Sequence, residues 1–185
     1  MKPKLWNVGI ALIVVCSVYA ADSETRRFAL PGHGELELAV PTVWKVEVKS
    51  PPGELPPTLH FTVIDGRPFE FIVTPLWTIQ GHVPPSDPQT VRAEVQQTAQ
   101  QALSQAVESR IEVKELNGTS AKGYYFAATD RAPKPGEYKY MTQGILPVGE
   151  LVVTFTVLTN DGQMSVIEAA LEALRRAVHR SGSTA

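Results

Sequence analysis

Apolar and polar residues alternate with period two through most of this chain, and the period lengthens to three or four in only two places. Leu36, Leu38 and Val40 alternate with Glu35, Glu37 and Ala39, the pattern of a half-buried strand. Phe28 and Leu30 predict a shorter strand before it, separated by the turn Pro31-Gly32-His33-Gly34. After Pro41 the alternation resumes at Trp44, Val46 and Val48, then stops in a proline-rich loop at 50–57, where the backbone donors of a sheet are missing. Leu59, Phe61 and Val63, then Asp65-Gly66, then Phe69, Phe71 and Val73 predict a hairpin with a tight type I′ turn.

The first helical period follows Asp87-Pro88, a side-chain acceptor at the cap and a proline in the first turn. Val91, Val95, Ala99, Ala102, Leu103 and Ala106 then place a helix at 88–109, its other face rich in glutamine. Ile111 and Val113 open another strand, which Asn117-Gly118 turns into 121–128. Tyr138, Tyr140 and Thr142 begin a further strand. The run 151–158, apolar or threonine throughout, predicts one covered on both faces. Met164, Ile167, Leu171, Leu174 and Val178 form the stripe of a closing helix, with Arg175, Arg176, His179 and Arg180 at the end its dipole favours. Residues 181–185 are a small polar tail expected to fray. Hairpin connections dominate, so the expected class is α+β, a mostly antiparallel sheet of about six to eight strands with two main helices.

This pattern resembles the PsbP-like fold, an α/β/α sandwich shared by an extrinsic photosystem II subunit, a Ran-binding nuclear-import factor and small exported bacterial proteins. The resemblance rests on Leu36-Glu37-Leu38-Ala39-Val40-Pro41 followed by Trp44, the hairpin around Asp65-Gly66, the Val91 and Val95 helix face, Gly123-Tyr124-Tyr125-Phe126, and the final strand and helix. It covers nearly all of the chain after residue 20. It implies the fold and one domain, and it carries over no catalytic residue.

The N-terminal segment supplies the address. Lys2 and Lys4 precede an apolar run at 5–18, and Val18-Tyr19-Ala20 suits cleavage between Ala20 and Ala21. The run is shorter than the roughly 20 residues of a membrane span. Residues 1–20 therefore read as a cleaved signal peptide and 21–185 as a single domain with a folded core at 26–180. Cleavage leaves 165 residues without cysteine, since the one cysteine is Cys16. Disulfides, thiolate nucleophiles and cysteine-based metal sites are thereby excluded from the mature chain. A lipid anchor on Cys16 is an alternative, weakened by Val15 where lipoprotein processing needs a small residue.

Charge and chemistry narrow the function classes. The whole chain carries 17 basic and 19 acidic residues, a net −2; without Lys2 and Lys4 the balance is 15 against 19, or −4. No basic stripe marks a nucleic-acid partner. His33, His60, His82 and His179 lack metal-ligand spacing, and no nucleophile elbow, P-loop or dinucleotide motif is present, so neither a metal nor a cofactor is expected. His60 is expected to face solvent or pack under a helix, and Glu35 and Glu37 read as solvated surface. Asn117-Gly118-Thr119 is a glycosylation sequon whose simpler reading is the turn. Two loops remain as recognition candidates: 75–87 with Trp77 and His82, and 129–136 with Asp130 and Arg131 beside Tyr138 and Tyr140. The expected function is an exported, soluble, non-enzymatic binding or accessory protein that meets another envelope protein, with no membrane span after cleavage. A hydrolase or other enzyme whose site is assembled from distant residues is the alternative.

Overall fold

A computed structural model of the protein describes residues 22–53 and 55–182. The signal segment, Cys16 and the Ala20–Ala21 junction lie outside the described residues, as do 183–185. Among the described residues the class is α+β with strands dominant: two helices and two antiparallel sheets. The three-stranded sheet has order β1-β2-β10, from β1 (Ser23–Leu30), β2 (Gly34–Pro41) and β10 (Val178–Arg180). The seven-stranded sheet has order β3-β4-β5-β9-β8-β7-β6. Its strands are β3 (Trp44–Lys49), β4 (Thr58–Val63), β5 (Glu70–Leu76), β6 (Lys114–Asn117), β7 (Lys122–Thr129), β8 (Tyr140–Val148) and β9 (Leu151–Thr159). Among the described residues ten strands in two sheets thus replace the single expected sheet of six to eight. Among the described residues no helix is long and apolar enough to cross a membrane.

The period-two pattern decides which residues meet. Leu59 and Phe61 of β4, Phe71 and Val73 of β5, and Phe155 and Val157 of β9 are buried with Leu36, Leu38 and Val40 of β2 in one core. Trp44 closes it, its ring centroid 4.9 Å from that of Phe69. Helix α2 (Met164–Arg175) adds Ala170, Leu171, Ala173 and Leu174 to the same core. On β7 the opposite set, Tyr124, Phe126 and Ala128, packs with Val91, Val95 and Ala99 of α1 (Pro88–Ala102) in a second, smaller core. On the α1 side of the sheet, Ile72, Thr154, Thr156 and Leu158 are only half-buried, so β9 is not covered along both faces as its composition predicts.

Asp87 caps α1 as expected: it is extended, and its carboxylate accepts from the Thr90 amide at 2.9 Å. The helix stops seven residues before its predicted end. The backbone carbonyl of Gln105 accepts from the Arg131 amide at 2.9 Å, and that of Ala106 from the Arg131 guanidinium at 2.7 Å. Docking to the β7–β8 loop takes the place of further helical turns. The Asp65-Gly66 and Asn117-Gly118 hairpins form, but through longer loops than the two-residue turns expected: 64–69, and 118–121 closed from the Gly118 amide to the Ala121 carbonyl at 2.9 Å.

The closing helix is also shorter than the stripe implies, because Val178, His179 and Arg180 leave it to pair with Glu37, Leu36 and Glu35 as β10. His179 therefore has no place at a helix terminus. Its Nδ1 accepts from the Glu150 amide at 3.3 Å, and its Nε2 donates to the His33 carbonyl at 2.8 Å. Glu37 is likewise no solvated residue. It is 6 % exposed, its carboxylate 2.6 Å from the Arg180 guanidinium and 2.8 Å from that of Arg27. The hydrogen bond from Arg180, reinforced by both positive charges, holds this carboxyl below its ordinary value.

Candidate functional site

The apolar stripe of α2 is longer than the core beneath it. Its C-terminal half, Leu171 and Leu174, packs in the core that also contains Leu116, Leu146 and Phe155. Its N-terminal half meets a sheet face of small residues: Ala127 on β7 pairs with Thr142 on β8, and Tyr140 with Thr159 on β9. Met164 is 66 % exposed and Ile167 half-buried. The volume that larger side chains would fill is left as a cleft of about 530 Å³ between α2 and β7–β9, within the size range of ligand sites.

The mouth of the cleft is fixed by the corner between β9 and α2. Gln163, buried, donates to the carbonyls of Arg67 and Pro68, both at 3.1 Å, and accepts from the Asn160 amide at 2.7 Å. Asn160 in turn accepts from the Lys139 amide at 3.1 Å. Next to it Asp161 accepts from the Tyr140 hydroxyl and from Lys139 Nζ, the latter at 3.0 Å. The Tyr140 bond, followed by that of Lys139, holds the Asp161 carboxyl below its ordinary value, while the Tyr140 hydroxyl beside it, followed by Asp161, raises the Lys139 ammonium. On the β7 side Glu108 accepts from the Thr129 hydroxyl at 2.6 Å and amide at 3.0 Å. Burial works to raise that carboxyl, but the Thr129 bonds prevail and it lies below its ordinary value.

A second cavity of about 310 Å³ lies between the end of α1 and the start of β8, lined by Ala102, Ala106, Tyr138, Met141 and Leu158. It shares Ala128, Thr129 and Met141 with the first, so the two cavities flank one end of the sheet. Burial, followed by the neighbouring Glu70, raises the Tyr138 phenol. Glu70 also lies 3.3 Å from His60 Nε2, and both side chains are half-buried.

The residues singled out in the sequence divide between opposite ends of the molecule. Asp130 and Tyr138 line the second cavity and Tyr140 the first. Arg131 anchors the loop through Gln105 and Ala106, and Asp130 accepts from the Ala132 amide at 2.8 Å. Trp77 and His82 follow the far end of β5, where Leu76 pairs with Val152, whereas Tyr140 pairs with Thr159. Seven residues of β9 separate the two sites, about 23 Å at roughly 3.3 Å per residue. Trp77 is buried, its indole stacked on the His33 imidazole at 4.3 Å, and His82 is exposed.

The cleft residues Ala127, Thr142, Met164 and Ile167 carry no individual signal in the sequence. Only the excess length of the α2 stripe over its packed part points to them. Among the described residues no three His, Cys, Asp or Glu side chains come together in a metal-holding group. No protein-family model matches the chain, and no curated protein sequence matches it.

Proposed function

We propose that the chain is an exported, non-enzymatic binding protein of the cell envelope, with the α/β/α architecture of the PsbP-like proteins, and that it recognises its ligand or partner at the Tyr138–Tyr140 end of the large sheet. The observation that carries this reading is the pair of cavities, about 530 and 310 Å³, that flank β7 and β8 there. Their walls are fixed strands with a few oriented polar groups, the composition of a recognition site rather than of a reaction centre. The scattered surface charge, without a basic stripe, favours a ligand other than nucleic acid. The apolar run at 5–18 supports export.

Hydrogen-exchange mass spectrometry on the exported protein, with and without envelope extract, tests the reading. The mass of the intact protein is expected to show removal of residues 1–20. Protection is expected at 129–141 and 159–171. Protection confined to 77–82, or none at any extract concentration, refutes it.

A further inference from the structure

The cleft beneath α2 is polar at both ends and apolar between them, and the two ends differ in charge. At one end Lys114 lies on β6 opposite Tyr125, and Arg175 on the last turn of α2, both of them exposed. Lys114 makes no ion pair among the described residues, and Arg175 reaches only exposed Glu172 at 3.3 Å. At the mouth stand Glu108, its charge taken up by Thr129, and exposed Glu168 one turn from Met164. The span from Tyr125 to Thr129 is about 13 Å at roughly 3.3 Å per residue, and that from Met164 to Arg175 about 16 Å at 1.5 Å per residue. Between the ends run Ala127, Thr142, Ile167 and Leu171, with Tyr125 at the basic end and Met164 at the mouth.

From this arrangement, and resting on the binding reading above, we propose that the cleft holds an anionic amphiphile of medium chain length. Its head group meets Lys114 and Arg175, and its tail lies along Ala127, Ile167 and Met164. The acids at the mouth set the direction, since a like charge placed beside Glu168 is repelled. Burial of the tail supplies the affinity, and the basic pair supplies the choice of head.

Dodecanoate, kept below its self-association threshold, is the probe, with dodecylamine and dodecanol as controls. Binding is followed by calorimetry and by the methyl resonance of Met164. Dodecanoate is expected to bind saturably, to move that resonance, and to bind more tightly than either control. Lys114→Glu, a change on an exposed strand residue, is expected to weaken dodecanoate about tenfold and to leave dodecanol unchanged; tenfold corresponds to about 1.4 kcal/mol. Ala127→Trp, which fills the cleft from the sheet side, is expected to abolish all binding while circular dichroism stays native. Equal or tighter binding of dodecylamine, or a dodecanoate affinity unmoved by Lys114→Glu, overturns the proposal. If dodecanoate fails while envelope extract still protects 129–141, the amphiphile is wrong and the binding reading stands. If extract protects nothing and dodecanoate behaves as expected, the site holds and the envelope-partner reading falls.

Discussion

Met164, Ile167, Leu171 and Leu174 look alike in sequence, yet truncating them is expected to have opposite consequences at the two ends of the helix. Leu174 has no exposed surface and sits in the main core. Leu174→Ala removes buried methyl groups and leaves a void that close-packed Leu116, Leu146 and Phe155 fill poorly, a loss of about 2–5 kcal/mol. For a domain of this length each kcal/mol lowers the melting temperature by about 2–4 °C, so the expected fall is about 4–20 °C. Met164 is 66 % exposed over the cleft and makes no comparable packing. Met164→Ala is therefore expected to stay within about 0.5 kcal/mol, or about 2 °C, and alanine is if anything the better helix former. Parallel thermal melts and guanidinium titrations measure both variants, with an unchanged slope showing that the denatured state is the same. A loss in Met164→Ala as large as that in Leu174→Ala would refute the view that the start of the stripe, at Met164, is held out of the core.

Two further perturbations test other parts of the molecule. Glu37 titrates in the folded state below its ordinary 4.5, chiefly through the Arg180 hydrogen bond, so its contribution to stability is present above pH 4.5 and is lost as pH falls through the lower folded value. Glu37→Gln is accordingly expected to lower the melting temperature at neutral pH and to lose part of the acid-induced fall; an acid limb parallel to that of the wild type counts against this. Trp77 is 5 % exposed and stacked on His33, so Trp77→Ala is expected to cost about 3–5 kcal/mol by chemical denaturation, and a variant with an unaltered midpoint removes Trp77 from the core.

What the sequence makes legible follows the range of the interaction involved. The alternation at Leu36, Leu38 and Val40, and that at Leu59 and Phe61, is a local record of a buried face, and all five residues are fully buried. The Asp87 cap is equally local: donor and acceptor are three residues apart. The misread segments are those whose state is decided far away. Val178 continues the spacing of α2, but β2 offers a free edge, and Arg180 finds Glu37, 143 residues earlier in the chain. The helical pattern of α1 runs on through Ala106, yet Arg131, which ends it, lies 25 residues further along. In both places a tertiary partner outbids a local propensity of a few tenths of a kcal/mol per residue.

The candidate site has the same origin carried one step further, because it is made by the absence of bulk. A strand pattern announces large apolar residues; alanine at 127 and threonine at 142 and 159 register only as gaps in it. Those three become one feature when β7, β8 and β9 align in register, and the feature matters only because α2 passes over them. The stripe on α2 is the half of the arrangement that can be read in advance: four apolar residues at helical spacing, of which Leu171 and Leu174 are buried in the core, Ile167 packs half-buried against it and Met164 stays exposed. A helix that served packing alone would gain by keeping Met164 polar, since an exposed apolar side chain at the rim of a cleft adds nothing to folding and invites association. Its position beside Ile167, over a floor of small residues and with Lys114 and Arg175 at the basic end, gives that surplus a use as one wall of the proposed binding cleft.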